Sequence, residues 1–430
     1  DNKSRCVLGS RSSANPRGIA LRKVLAGTRV EDGFRAPLFE WWLACIATLV
    51  GESAPALRIA NAAVSSFLVL PVYTLGERLG GRRLATMGAL LTALYPPFVA
   101  FGHLIWTESL YTLIGGLCLV LTLKAIRTGH SVAAFGAGIS WAALILCREV
   151  GLAVLASVAT WFALQPELRR KRSRFGILVL VVALGPMCCW SLYLNRDNSS
   201  NDAYSIISRS TYLNLYIGNG VPSSVRKRYP KLTPRKHYER LARTPAQRER
   251  LVQPYVFASI REQGMGWIFR KIRSEVPRFF APGGFPVRRL LIGAEQPRNA
   301  WAYHSGRGQV FPPSWATLFA RLYVASVTLT LVLGAAGWIL LWRPGTPLHG
   351  LVSVFAFGHL WPTVLTFATT RFRLPTTPLF VLGAAYLCIS LVPAWRAASG
   401  RKRVSTVVAA VAVTSMILAQ FGRAIGSGWV

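Results

Sequence analysis

Apolar residues in this chain come in long blocks, neither alternating nor recurring on one helical stripe. Such blocks, separated by short polar links, are the pattern of helices surrounded by hydrocarbon on all sides. Ten of them are read at 57–75, 84–105, 110–123, 132–147, 151–164, 175–194, 315–341, 350–367, 379–394 and 404–421. A further run at 38–50 carries Trp41, Trp42 and Glu40, and is short for a span. It predicts a helix lying at the membrane interface. Residues 18–27 (GIALRKVLAG) predict a short basic amphipathic helix ahead of it.

Composition agrees with the blocks. The chain has 430 residues, 52% hydrophobic and 15% charged, which is the balance of a polytopic membrane protein and not of a soluble domain. The net charge of +34 raises nucleic acid as a partner. However, the basic residues cluster between apolar runs, as loops between spans would have them, so no nucleic-acid partner is expected. Cys45, Cys118, Cys147, Cys188, Cys189 and Cys388 lie inside apolar runs, without disulfide or metal spacing.

The polar links set the orientation. GERLGGRR at 76–83, residues 124–130, QPELRRKRSR at 165–174 and WRAASGRKR at 395–403 are short and basic, hence cytoplasmic. They alternate correctly with the apolar runs. The opposite face then receives 102–107, Arg148 and Glu149, the long segment 195–314, and the link 370–375. The long segment is the size of a domain and holds 21 lysines and arginines against 7 acids. A basic surface beside a membrane favours anionic headgroups or a phospholipid-linked substrate. Within it, 245–277 predicts a helix.

The predicted architecture is thus all-α and polytopic, with about ten transmembrane helices, an interfacial helix and one mixed extracytoplasmic insertion. Four regions are expected: an N-terminal loop with interfacial helices at 1–56, a first membrane block at 57–194, the insertion at 195–314, and a second membrane block at 315–430.

The candidate chemical residues all fall on the extracytoplasmic face. Arg371 and Arg373 stand two residues apart in a non-helical link bounded by Pro375 and Pro378. Guanidinium forks match phosphate oxygens, and both side chains are placed to face one phosphate. The competing reading is a basic loop that fixes topology. Glu108 is an ionisable group at a membrane edge, next to Trp106. Either it lines a cavity and orients a substrate, a metal or an arginine, or Thr107 caps a helix whose dipole Glu108 complements. Arg148 and Glu149 admit a local ion pair closing a turn, and His359 a packing role. Glu31 and Asp32 are a catalytic pair or a solvated turn.

Five stretches together resemble a known family: RAPLF at 35–39, YPPFVAFGHLIWTESL at 95–110, ILCREVGL at 145–152, LYIGNGVP at 215–222 and ATTRFRLPTTP at 368–378. Their order and spacing are similar to the bacterial GT-C membrane glycosyltransferases, the protein O-mannosyltransferase and aminoarabinose transferase group. The resemblance runs from about residue 18 to about residue 394. It implies transfer of a sugar from a polyprenyl-phosphate donor to an acceptor hydroxyl at the extracytoplasmic face of an inner cell membrane. It further implies a general-base carboxylate some way ahead of RAPLF, and none stands at 13–17. Asp32 or Glu31 is then the expected base, or the chain is an incomplete copy. The remaining expected roles are Glu108 orienting the site or holding a divalent metal, and Arg35, Arg148, Asn219, Arg371 and Arg373 binding substrate. The expected partners are the lipid-linked donor and membrane lipids. The alternative function is a transporter or flippase of an anionic lipid-linked substrate, against which stand the lack of a visible repeat and the gathering of charges at one face.

Overall fold

A computed structural model describes residues 35–51, 53–196, 204–242, 244–283 and 313–426. Among these, every regular element is helical. The chain is a multi-pass membrane protein. Among the described residues, seven helical stretches are long and apolar enough to cross a membrane, and an eighth is a bent pair.

The first element, α1 (Leu38–Val50), coincides with the expected interfacial helix. It buries Phe39, Leu43, Ala44 and Ala47, and Trp41 packs edge-on against Trp190. Helices α2 (Ala54–Ser66) and α3 (Val69–Gly80) run on as one stretch, Pro55–Gly80. Ser53 starts it by accepting from the Ala56 N–H. Helices α4 (Arg82–Leu94) and α5 (Pro96–Gly102) bend by 51° at Tyr95. The pair Pro96-Pro97 causes the bend, since proline excludes the preceding residue from helical backbone.

Next come α6 (Thr107–Thr128), α7 (Ser131–Cys147), α8 (Val150–Ala163) and α9 (Pro166–Asn195). Helices α7 and α8 are apolar but shorter than an ordinary span, so among the described residues seven stretches, or eight with the bent pair, are long enough to cross, against the expectation of about ten. Trp141 of α7, fully buried, donates to Thr122 of α6. The C-terminal block holds α15 (Pro313–Leu341), α16 (Pro347–Leu365), a 3-10 helix (Thr370–Thr376), α17 (Thr377–Ala397) and α18 (Gly400–Gly426). Helices α15 and α17 cross closely. A Cβ on Gly337 would meet the Gly383 carbonyl oxygen at 1.9 Å, so only glycine permits the approach.

Between α9 and α15 lies the insertion, with α10 (Thr211–Asn219), α11 (Ser223–Arg228), α12 (Pro234–Leu241), α13 (Pro245–Gln263) and α14 (Trp267–Phe280). The expectation of a mixed insertion is corrected: its described residues form helices only. The helix expected over 245–277 is two helices, because Gly264 at φ +63° ends the first. A small core of its own joins Leu213, Tyr216, Val221, Val225, Tyr238, Val252 and Val256. Glu249 accepts the Tyr212 and Leu213 N–H groups at the start of α10. Burial pushes its carboxyl up to about 6 against those hydrogen bonds.

Candidate functional site

Glu108 occupies the first turn of α6, where helix N–H groups without partners favour negative charge. Thr107 is not the cap. The cap position is Trp106, in extended backbone without a side-chain bond, and the Thr107 hydroxyl donates to Glu108 Oε2 at 3.3 Å. The Glu108 side chain is 3% exposed. A carboxylate so placed must find cationic partners or stay protonated. It finds two.

Arg148 ends α7 in extended backbone, and its Nη1 donates to Glu108 Oε1 at 3.0 Å. Arg371 lies on the 3-10 helix, with Nε 3.7 Å from the same oxygen. Aromatic faces flank both guanidinium groups. Arg148 sits 4.9 Å from the Phe372 ring and 5.7 Å from the Tyr111 ring. Arg371 sits 5.1 Å from Phe372 and 5.2 Å from Trp106. Phe372 is thus shared by the two cations, which stack without turning aside from the carboxylate. Arg371 remains 36% exposed and Arg148 21% exposed, while the carboxylate is closed off. Arg35, exposed just ahead of α1, adds a third positive charge to this neighbourhood.

The loop ahead of Glu108 is held from α2. Asn61, fully buried, donates to the carbonyls of Gly102 and Leu104 at 2.8 Å each, and more weakly to Phe101. Ser109 also donates to the Phe101 carbonyl. Sequence reasoning missed Asn61. Its signal was an amide inside an apolar run, where a polar group without partners is costly. His359 is a packing residue, as one of its readings had it: Nε2 meets the Tyr111 hydroxyl at 3.1 Å and Nδ1 the Phe355 carbonyl at 2.9 Å.

Arg373 does not join Arg371. In an extended link, residues two apart share a face. The link is instead a 3-10 helix, Thr370–Thr376, where at about three residues per turn they point to different sides. Arg373 is buried and donates from Nη1 to the carbonyls of Phe279 and Ala281, at 2.7 and 3.0 Å. Those are carbonyls at the end of α14 that lack helical partners.

Asn219 is likewise elsewhere. Its Oδ1 accepts from the Trp267 indole at 2.6 Å, and its carbonyl from Ser259 at 2.8 Å. It ties α10 to α13 and α14. Its neighbour Gly218 lies so close to the Thr366 carbonyl that a Cβ would meet the oxygen at 1.6 Å. Glu149 does not pair with Arg148. Its carboxylate accepts from Ser208, Thr211 and Asn214, fastening the insertion to the turn between α7 and α8. Glu31 and Asp32 lie outside the described residues, as does the helix expected at 18–27.

No group of three or more metal-ligating side chains gathers among the described residues. Glu108 fits a metal poorly, because two guanidinium groups already crowd one of its oxygens. The arrangement suits a different ligand. Two partly exposed, aromatic-stacked arginines around a buried counter-ion present a pre-positioned pair of forks to an anion.

Residues 34–193 match the family model of dolichyl-phosphate-mannose-protein mannosyltransferases. That stretch contains Arg35, Glu108 and Arg148. The match supports the resemblance to the GT-C superfamily read from the sequence. No curated protein matches the chain. Among solved structures it is similar to the archaeal oligosaccharyltransferase AglB from Archaeoglobus fulgidus, in complex with an inhibitory peptide and a dolichol-phosphate. The identity there is 15% and the TM-score 0.44, over 90% of this chain and 48% of that one. It is also similar to ArnT from Cupriavidus metallidurans bound to undecaprenyl phosphate, at 15% identity and a TM-score of 0.38, over 86% of this chain and 72% of that one. The chain thus spans about half the length of the AglB chain.

Proposed function

We propose that this chain is a membrane glycosyltransferase that moves a sugar from a polyprenyl-phosphate donor to an acceptor hydroxyl, at the extracytoplasmic face of an inner cell membrane. The observation that carries the reading is the convergence of Arg148 and Arg371 on Glu108 Oε1, where three helical elements meet. The mannosyltransferase model matched by residues 34–193 supports the donor class.

In this reading Arg371 and Arg148 hold the phosphate of the donor, and Arg35 is a further cation beside it. Glu108 keeps the two guanidinium groups in place before the donor arrives, so little reorganisation is left to the reaction. The acceptor oxygen attacks the anomeric carbon, and the bond from that carbon to the phosphate oxygen breaks. The electron pair leaves with the polyprenyl phosphate, whose added charge the arginines stabilise. The acceptor proton passes to a carboxylate, for which Asp32 and Glu31 are the proposed residues. Direct displacement inverts the anomeric centre. Arg373 has a supporting role in this scheme, since its donors are used on backbone carbonyls. The insertion, fastened through Glu149 and packed at Gly218 against Thr366, close to the site, selects the acceptor.

The test is transfer by purified protein in nanodiscs, using a radiolabelled polyprenyl-phosphate sugar. Label should move to an acceptor, or be released as free sugar, in wild-type protein and not in Arg371→Ala. Protein that binds the donor without breaking the sugar–phosphate bond under any acceptor condition would refute the assignment.

A further inference from the structure

Helix α14 has two faces with separate work. Lys271, Glu275 and Phe279, spaced four apart, are buried. Lys271 donates to the carbonyls of Gly218 and Thr366. Glu275 accepts the Ala368 N–H at 2.8 Å, and the end of the helix receives Arg373. Burial pushes the Lys271 ammonium below the usual lysine range, and the nearby Glu275 carboxylate opposes that. Helix α14 therefore holds the backbone ahead of the turn that carries Arg371, at Thr366 and Ala368, and the side chain of Arg373 beyond it.

Beside this face runs an exposed apolar strip. Met265, just ahead of the helix, is 95% exposed, Phe269 74% and Ile272 47%. Beyond the strip come Arg270 and Arg273, both exposed, with Arg270 also donating to the Gln263 carbonyl. The order buried, apolar, basic around one helix is that of an element lying in a lipid interface. Its level fits. The gripped residues begin one position past the end of α16, and α14 packs against α16 and α18 as well as the turn. The strip consequently lies at the depth where the spans end, not far out over the insertion.

We propose that α14 seats its Met265–Phe269–Ile272 strip among anionic lipid headgroups of the extracytoplasmic leaflet, with Arg270 and Arg273 on the phosphates, and so fixes the height of the Arg371 turn. The charge of the helix surface selects lipid over a second copy of this chain, whose matching strip would carry the same arginines. The seating is independent of the proposed activity; its consequence for the donor site rests on that reading.

The experiment reconstitutes the full chain in nanodiscs of phosphatidylcholine alone or with phosphatidylglycerol. Hydrogen exchange is followed over 267–280 and 366–373, together with a nitroxide placed by Phe269→Cys. The nitroxide should be accessible to oxygen and shielded from a water-soluble nickel chelate. Protection of both peptides should rise together with anionic lipid. Arg270→Ala with Arg273→Ala should erase the rise, up to about 30-fold at the usual surface contribution of two basic residues, and leave α6 unchanged. A nitroxide open to the chelate, protection indifferent to lipid charge, or shielding that depends on protein concentration would each overturn the seating. Loss of transfer with lipid-dependent protection intact would count against the proposed activity alone.

Discussion

Arg148→Ala measures how firmly the Glu108 cluster is built. The bond it removes is 3.0 Å long, to a carboxylate 3% exposed. Truncating one partner of a buried pair costs about 3–5 kcal/mol, because the survivor keeps its charge without a partner. Two features lower the cost here. Glu108 retains Arg371 at 3.7 Å and the Thr107 hydroxyl, and Arg148 itself is 21% exposed. What remains is the coupling of one charge-assisted hydrogen bond, about 1.5–3 kcal/mol. A cycle of Arg148→Ala, Glu108→Ala and the double variant isolates that figure. The assay is reversible unfolding in mixed micelles. The double variant should be less destabilised than the sum of the singles by the coupling energy. If the singles add to within about 0.5 kcal/mol, the pair is not formed, and the case for a pre-set arginine pair falls with it.

In a protein in which Cys6 and the exposed cysteines Cys45, Cys188, Cys189 and Cys388 are replaced, Ser224→Cys should label from outside the cell and Ser173→Cys should not; the reverse pattern would invert the membrane topology. Arg373→Ala should loosen α14, seen as faster proteolysis near Phe280, and restoring those cuts to wild-type rates by tight donor binding alone would contradict its anchoring role. Glu249 titrates in the insertion. Its folded value of about 6 lies above the usual carboxylate value, so its contribution is fully present below about 4.5 and is lost as pH rises through about 6. Stability of the insertion should fall by about 2 kcal/mol across that window, read by hydrogen exchange of α10 and α13, and Glu249→Gln should flatten the change.

Most of the membrane architecture was legible because apolar runs with few charges have one stable solution in hydrocarbon. Glu108 was legible for the same reason, as a charge where charge is expensive. Its partners were not. Arg148 is 40 residues away and reaches it only because the left-handed turn at Gly129 folds α7 back beside α6. Reading the Arg371 link as extended put Arg373 on the wrong side: Pro375 is accommodated near the end of the 3-10 helix, and Pro378 opens the helix that follows. Lys271 and Glu275 look from the sequence like an ordinary surface pair four residues apart. Only packing against Thr366 and Ala368 buries them.

The central claim is that Arg371, with Arg148, holds the donor's phosphate. Affinity for a fluorescent polyprenyl phosphate, measured in correctly inserted nanodisc protein, tests it most directly. A charge-assisted bond of about 1.5–3 kcal/mol corresponds to roughly 10- to 100-fold in affinity, so Arg371→Ala should weaken binding by that factor. Arg371→Lys should recover only part of it, because an ammonium supplies charge without the planar fork. Wild-type affinity in Arg371→Ala would contradict the account.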